Sequence, residues 1–515
     1  MNHKYIKKVV GKMGKIQDIE KRYFDLVKKI KHYEEALSLM AWDLRTGAPK
    51  KGVDGRSEVI GTFSEVVFQL TTSAEMKACL DQLREPAVQK ELSEITRRSV
   101  EKSAKEYDRL VKIPADEFKN YVMIRSKAES VWAEAKEKSD FSMLQPYLEK
   151  LIDFKHRMVD YWGYKENKYD ALLDQYEPGV TTETIDRVFD DLRRQIIPLV
   201  QEIKDAEDPE NDFLIGYFPK EKQREFCSHL LKEIGYDFEA GRIDETLHPF
   251  QITLNPGDVR VTTNYNENDV QFALFGLLHE GGHALYEQNI SKELAGTPLY
   301  EGTSMGIHES QSLFFENFIG RSRPFWHRHF DTLKNYAGGL LDQIDIESFY
   351  RAINVAGPSL IRIEADELTY PLHIIVRYEI EKGLFNGDLK VKDLPGVWNE
   401  KMEEYLGIRP ERDRDGVLQD IHWSGGDFGY FPSYALGYLY AAQFKHAMLK
   451  TVPNFDDCLA EGNLAPILSW LSKHIHQYGA LKTPTEILED ATGEPLNAKY
   501  LVDYLTNKYK DVYRL

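Results

Sequence analysis

Apolar residues recur at helical spacing through most of this chain, with charged residues filling the intervening positions. The pattern predicts amphipathic helices over Lys15 to Asp43, Arg56 to Leu83, Pro86 to Leu110, Pro114 to Lys138 and Phe141 to Trp162. Thr181-Thr182-Glu183-Thr184 reads as a capping-type start for a further helix to about Ala206, and another follows Pro219. Later in the chain Ile344 to Phe385, Val391 to Leu406 and Ser433 to Lys450 carry the same period, and the tail from Thr485 reads as a small terminal pair.

One region breaks the helical rhythm. Pro249 to Leu254 and Val259 to Thr263 flank Asn255-Pro256-Gly257-Asp258, and Pro followed by Gly at a turn centre predicts a β-hairpin with a type II turn. In its second strand Val259, Val261 and Thr263 face one way, Asp258, Arg260 and Thr262 the other. Such a strand suits the wall of a cleft, where an extended peptide is held by main-chain hydrogen bonds.

Directly after the hairpin, Asn266-Glu267-Asn268-Asp269 reads as an N-terminal cap. Val270, Ala273, Leu274, Leu277, Leu278 and Leu285 then recur at helical spacing, so His279-Glu280-Gly281-Gly282-His283 lies inside a helix. Two histidines four apart project from one face and can grip one metal ion, while the acid between them can deprotonate a water held beside it. Gly281 and Gly282 each cost about 1 kcal/mol relative to Ala in a helix interior, so something must approach the backbone closely there.

A third ligand is expected from Gly306 to Asn317, an apolar segment that nevertheless carries His308, Glu309 and Glu316. Buried carboxylates are rare unless paired or metal-bound. From the residues alone Glu309 and His308 compete as ligand, and Glu316 is either a structural ion-pair member or a partner of a ligand side chain. Further on, Arg362, Asp366 and Thr369 fall near one face of the expected helix, with His373, Arg377 and Glu381 on another. The loop Gly416 to Gly426 carries His422 and precedes a helix on which Tyr434 and Tyr438 are neighbours. His422 and Tyr434 from this region could steady a developing oxyanion.

Bulk properties narrow the choice of partners. The net charge of -18, from 66 basic and 84 acidic residues, argues against nucleic acid, which demands a basic stripe. Cys79, Cys227 and Cys458 are far apart and lack metal-ligand spacing, so neither a disulfide framework nor a zinc cluster is expected. Met1 to Ile16 has no continuous apolar core of the kind a signal peptide needs, and no run is long enough to span a bilayer, which predicts a cytoplasmic protein without a membrane partner. No linker or repeat divides the 515 residues. The expectation is one helical domain, with an N-terminal wall over about 1–245, a metal-site and groove region over about 246–450, and C-terminal helices over about 451–515.

Taken together, these segments resemble the thermostable carboxypeptidase Taq family of metallocarboxypeptidases along nearly the whole chain. The resemblance rests on His279-Glu280-x-x-His283, His308-Glu309-Ser310, Asp258-x-Arg260-x-Thr262, Ile361-Arg362-x-x-Ala365-Asp366-Glu367, His373-x-x-x-Arg377-x-x-x-Glu381 and Gly416-x-x-Gln419-Asp420-x-His422-Trp423. Trp42-Asp43 followed by Thr46, Pro49, Gly52 and Arg56, and the run from Tyr169 to Gly179, also fit. Gly47-Ala48 departs from the family pattern, which tends to have a large residue and Met before the Pro. The resemblance implies a mainly α, saddle-like fold split by a deep active-site groove, with a small antiparallel sheet beside the metal helix, and a homodimer. It implies removal of C-terminal residues from peptides with broad tolerance and reluctance toward C-terminal Pro. It assigns His279, His283 and Glu309 to the metal and Glu280 to catalysis.

On that basis zinc is the expected ion, with cobalt or manganese accepted by the same donors. Glu280 is the expected general base, assisted by His422 and Tyr434 at the oxyanion. A cation must meet the terminal carboxylate of the substrate; Arg362 is the first choice for its bidentate fork and Arg377 the second, while Arg260 either binds substrate or pairs with Asp258. Two rivals are an endo-acting oligopeptidase on the same metal site and a non-catalytic peptide-binding scaffold. Intact Glu280 speaks against the scaffold.

Overall fold

The computed structural model describes residues 3–515, with side chains from residue 14 onward. The side chains on which the reading of Met1 to Ile16 rests therefore fall largely outside those described. The first helix runs His3–Thr46. Arg56 to Leu83 divides into Val53–Thr71 and Ala74–Leu83, because the Ser73 side chain caps the second piece through the Met76 N–H. Pro86 to Leu110 divides likewise into Pro86–Gln89 and Glu94–Val111, with Ser93 capping through Thr96. Ala115–Lys138, Phe141–Trp162, Thr182–Lys204 and Lys220–Glu233 follow as the periodicity predicts. The Thr181 side chain makes no capping bond; Asp170 Oδ1 instead accepts the Thr182 N–H at 2.7 Å.

These elements pack around two apolar clusters. A small one gathers Tyr23, Val27, Met76, Leu80 and Val100 from the first helices, and a large one occupies the remainder of the molecule. Cys79, Cys227 and Cys458 are free and buried. Among the described residues no helix is long and apolar enough to cross a membrane.

The hairpin forms from Gln251–Asn255 and Asp258–Thr263, but the sheet is mixed, because Ile243–Glu245 joins the second strand in parallel. That strand is too short to carry an alternation signal. The turn is not type II, since Gly257 does not adopt the positive φ that type requires. The Asn255 side chain accepts the Gly257 N–H at 2.9 Å and makes the turn itself. Val259 and Val261 are buried, and Thr262 on the more polar face is buried too, its hydroxyl donating to the Phe250 carbonyl at 3.0 Å while accepting the Phe250 N–H at 2.8 Å.

The expected helix Ile344 to Phe385 is interrupted. Ile346–Ala352 and Tyr370–Asn386 are helical, and between them the chain is irregular apart from one turn at Arg362–Glu364. The first piece stops at Ala352, Gly357-Pro358 lies in the irregular stretch that follows, and Pro371 opens the second piece, where a missing N–H costs nothing. Asp366 is accordingly not on a helix face with Arg362. Its carboxylate instead gathers the N–H groups of Gly357, Leu368 and Thr369 at 2.9–3.1 Å. The later helices Leu394–Leu406, Pro432–Leu449, Pro484–Thr492 and Lys499–Tyr513 match their predictions closely. The result is a mainly α fold with its small sheet packed beside the helix that carries the histidines.

Candidate metal centre

The motif helix runs Val270–Gln288 and starts where the sequence places its cap, with Asp269 accepting the Gln271 N–H at 2.8 Å. Its paired glycines are explained by what passes them. A Cβ on Gly282 would lie 2.4 Å from the Gln311 carbonyl oxygen and 2.7 Å from Ser312 Cα, both backbone atoms of the neighbouring ligand helix or its continuation, Met305–Leu313. On the opposite side of that helix, a Cβ on Gly437 of Pro432–Leu449 would lie 2.7 Å from Glu309 Cγ. The ligand helix is thus held between two bare helix surfaces.

Its start is equally constrained. Ser304 caps it through the Ile307 N–H, and the fully buried Glu177 accepts the Gly306 N–H at 2.8 Å and hydrogen bonds from Ser304 Oγ at 2.9 Å and Tyr440 at 3.1 Å. Burial pushes the Glu177 carboxyl up to about 7 despite these donors. After Leu313 the helix widens into a π-helical segment, Phe314–Gly320, that delivers Glu316.

His279, His283 and Glu309 each bring one ligand atom to a common point, all within 4.8 Å of one another. Glu309 Oε2 lies 3.8 Å from His279 Nε2 and 3.4 Å from His283 Nε2. Each imidazole is fixed from behind: His279 Nδ1 meets Glu316 Oε2 at 2.9 Å, and His283 Nδ1 meets His308 Nδ1 at 2.6 Å. Glu316 is further engaged by Arg321 at 3.4 Å, whose guanidinium lies 3.9 Å from the Phe275 ring centre. Two nitrogens and one carboxylate around an accessible point suit a divalent transition ion with an open coordination position. His308 faces His283 instead of that point, so of the two competitors it is Glu309 that stands with the histidine pair.

Glu280 is 8% exposed and lines the same cavity, of about 500 Å³, as His279, His283, His308 and Glu309. Burial pushes its carboxyl up to about 7, with the charge of Glu309 adding to the rise. Among the side chains alone, burial opposes a charge on His279 but Glu309 and Glu316 outweigh it and hold that imidazole up to about 10, whereas burial pulls His283 down to about 4.

Tyr434 lines this cavity as expected, and Tyr430 lines it as well. Sequence reasoning passed over Tyr430, although its place four residues before Tyr434 was the available signal. Phe250 of the hairpin and Met305 complete the apolar walls. His422 stands behind Tyr434, with Nε2 3.5 Å from the phenol oxygen, and burial keeps it neutral by lowering it to about 4.

The three arginines separate. Arg362 Nε and Nη2 donate to Asp420 Oδ1 at 3.0 and 2.8 Å, Nη1 donates to the Tyr370 hydroxyl at 2.9 Å, and the guanidinium lies 5.1 Å from the Tyr434 ring centre. Arg377 is wholly buried, with Nε on Asp420 at 2.7 Å, Nη1 on the His373 carbonyl at 2.7 Å and Nη2 on Gln419 Oε1 at 2.8 Å. It does not reach the cavity. Arg260 is bound through two nitrogens to Asp258, both at 2.7 Å, packs 5.4 Å from the Trp42 ring centre and lines a different cavity beside the sheet. The structure thus brings together His279, Glu280, His283, Glu309 and Tyr434, sets His422 and Arg362 behind them, and leaves Arg377 and Arg260 apart.

A helical body with this nitrogen and carboxylate donor set beside a buried acid suits a metal-dependent hydrolase. The carboxypeptidase Taq (M32) metallopeptidase family matches residues 22–509, and the chain belongs to that family. It is 54% identical over 501 residues to Carboxypeptidase 1 of Bacillus subtilis (strain 168), covering 97% of this chain and 100% of the relative. It is 40% identical over 488 residues to Thermostable carboxypeptidase 1 of Thermus thermophilus, covering 92% and 95%. Among solved structures, the M32 carboxypeptidase from Deinococcus radiodurans R1 superimposes with a TM-score of 0.92 at 34% identity, over 97% of this chain and 99% of the other. Metallocarboxypeptidase 1 of Trypanosoma cruzi gives the same TM-score of 0.92 at 34% identity, over 96% and 99%. The protein is a metallocarboxypeptidase.

Proposed function

We propose that this protein releases C-terminal residues from peptides with broad side-chain tolerance and poor action on C-terminal Pro, using zinc held by His279, His283 and Glu309. The observation that supports this reading is the convergence of those three donors beside Glu280 in one cavity. When bound, the ion supplies Lewis acidity, polarising the scissile carbonyl and acidifying water; cobalt and manganese suit the same donors.

Glu280, with a carboxyl near neutrality, takes the proton from the attacking water and returns it to the departing amine. The Tyr434 phenol donates to the developing oxyanion, with His422 behind it setting the direction of the hydroxyl. Arg362, packed against the Tyr434 ring, is the cation assigned to the terminal carboxylate of the substrate. Its anchoring on Asp420 holds the guanidinium plane in place. Arg377 and Arg260 take structural parts in this scheme: the first completes the Asp420 pair, the second braces the strand against Trp42. We place the enzyme in the cytoplasm as a homodimer.

Product analysis tests the assignment. A peptide with a free C-terminus should lose single residues in order, and the same peptide with a blocked C-terminus should survive. Internal fragments from either would favour the endo-acting alternative. Dialysis against a chelator should remove activity, and stoichiometric zinc should restore it.

A further inference from the structure

His308 lies in the metal cavity yet offers it no free nitrogen. Its Nδ1 faces His283 Nδ1 at 2.6 Å, and its Nε2 faces Glu287 Oε1 at 3.0 Å. That Glu287 oxygen also accepts the Gly302 N–H at 2.9 Å, and the carboxylate is 4% exposed, so it is fixed and withdrawn from solvent. The other histidine is arranged differently, with Nδ1 placed directly on the carboxylate of Glu316.

Proton placement along this line follows from simple exclusion. A gap of 2.6 Å between two imidazole nitrogens has room for one hydrogen. An imidazole that gives its Nε2 lone pair to an ion carries its proton on Nδ1, which obliges the facing nitrogen of His308 to be bare. A neutral His308 then carries its proton on Nε2, where an ionised carboxylate is the matching acceptor. All four atoms needed for that order, His283 Nδ1, His308 Nδ1, His308 Nε2 and Glu287 Oε1, are present at hydrogen-bonding distance.

We propose that His308 and Glu287 form a positioning relay for the metal, in which Glu287 fixes the tautomer of His308 and His308, as a neutral acceptor, fixes His283 with its Nε2 lone pair toward Glu309. This rests on the metal-site reading above and adds two residues to it. Its consequence is an uneven pair of ligands. His279 is backed directly by a negative charge, whereas His283 is backed by a neutral ring that separates it from the next carboxylate. Fixing partners of this kind are worth about 10- to 100-fold in metal affinity.

The experiment measures affinity for zinc alone, by competition with a chromophoric chelator, in the full-length wild type and in two variants. His308→Asn keeps an acceptor near the Nδ1 position and should bind zinc close to wild type. His308→Leu removes the acceptor and should lose about 10- to 100-fold. If His308 were itself a ligand, both variants would fall together; if it were mere packing, neither would fall, and either pattern overturns the relay. Should the Leu variant fail to fold, nitrogen-15 NMR of histidine-labelled, zinc-loaded wild type decides independently. The relay requires His308 as the neutral tautomer protonated on Nε2, and an imidazolium or an Nδ1–H form refutes it. A wild type that binds no divalent ion would instead defeat the metal-site reading, so the two failures are distinguishable.

Discussion

Gly282→Ala sets two well-measured effects against each other. As an isolated helix substitution it should stabilise the protein by about 1 kcal/mol, because glycine is the poorer helix former. Here the new methyl would sit 2.4 Å from the Gln311 carbonyl oxygen, ordinary contact begins at 3.4 Å, and the obstructing atoms are backbone. The motif and ligand helices must therefore part by about 1 Å, an overpacking cost of about 1–3 kcal/mol. Net stability then falls by no more than about 2 kcal/mol, a modest change in melting temperature for a chain of this size. Function should suffer far more. Metal–ligand distances tolerate only about 0.2 Å, so a shift of about 1 Å withdraws Glu309 from the two histidines. A misplacement of that size also costs about 10²-fold in rate. The assay is zinc affinity together with kcat/KM on a peptide with a free C-terminus, with a thermal melt alongside. Gly281→Ala is the control, since its methyl would meet the end of the Leu231 side chain at 2.6 Å, which can move aside, and zinc affinity should stay near wild type. A Gly282→Ala enzyme with wild-type zinc affinity and kcat/KM would refute the claim that helix approach at this glycine sets the ligand geometry.

Other expectations follow from the same structure. Glu280→Gln should retain stoichiometric zinc while kcat drops by about 10²- to 10⁴-fold, and retained turnover would remove it as the base. Tyr434→Phe should lower kcat by about 10²-fold with little change in KM; a change confined to KM would move Tyr434 from the oxyanion to ground-state binding. Asp420→Asn leaves two buried guanidinium groups short of their counter-ion and should destabilise by about 3–5 kcal/mol in urea unfolding. In the wild type, burial opposes ionisation of Asp420 but Arg377 and Arg362 hold its carboxyl well below the usual range. Its stabilising contribution is thus present above the ordinary carboxylate value and is lost as pH falls through the depressed one, an acid-side loss that the Asn variant should lack. Glu177 has the opposite sign. With its carboxyl raised from 4.5 to about 7 by burial, it costs stability increasingly as pH climbs across that interval. Glu177→Gln should therefore flatten the difference in melting temperature between pH 5 and pH 8, and an unchanged difference would refute this attribution.

Much of the site was legible because its signals are local. The four-residue spacing of His279 and His283, the cap at Asp269 and the misfit of two glycines in a helix interior all depend on neighbours in sequence. Acids in the apolar run around Glu309 and Glu316 announced buried partners but not which ones. The identity of those partners depends on the π-helical segment that redirects Glu316, a feature no periodicity encodes. The long helix expected through Arg362 failed because apolar spacing continued across Gly357-Pro358, where the backbone could not. That failure carried the two arginines with it: Arg362 and Arg377 meet on Asp420, 58 and 43 residues further on, rather than along one helix. The third strand, Ile243–Glu245, has three residues and exists only because Asp258–Thr263 offers it an edge.

The pinning of the ligand helix has a consequence for biosynthesis. The histidine motif leaves the ribosome about 150 residues before the helix Pro432–Leu449, whose Gly437 admits Glu309 and whose Tyr440 steadies Glu177. A nascent chain at that stage holds both imidazoles and the base, but nothing yet presses the third donor into register. The surface that sets the position of Glu309 is thus made late in translation, and a polypeptide ending before Pro432 lacks it.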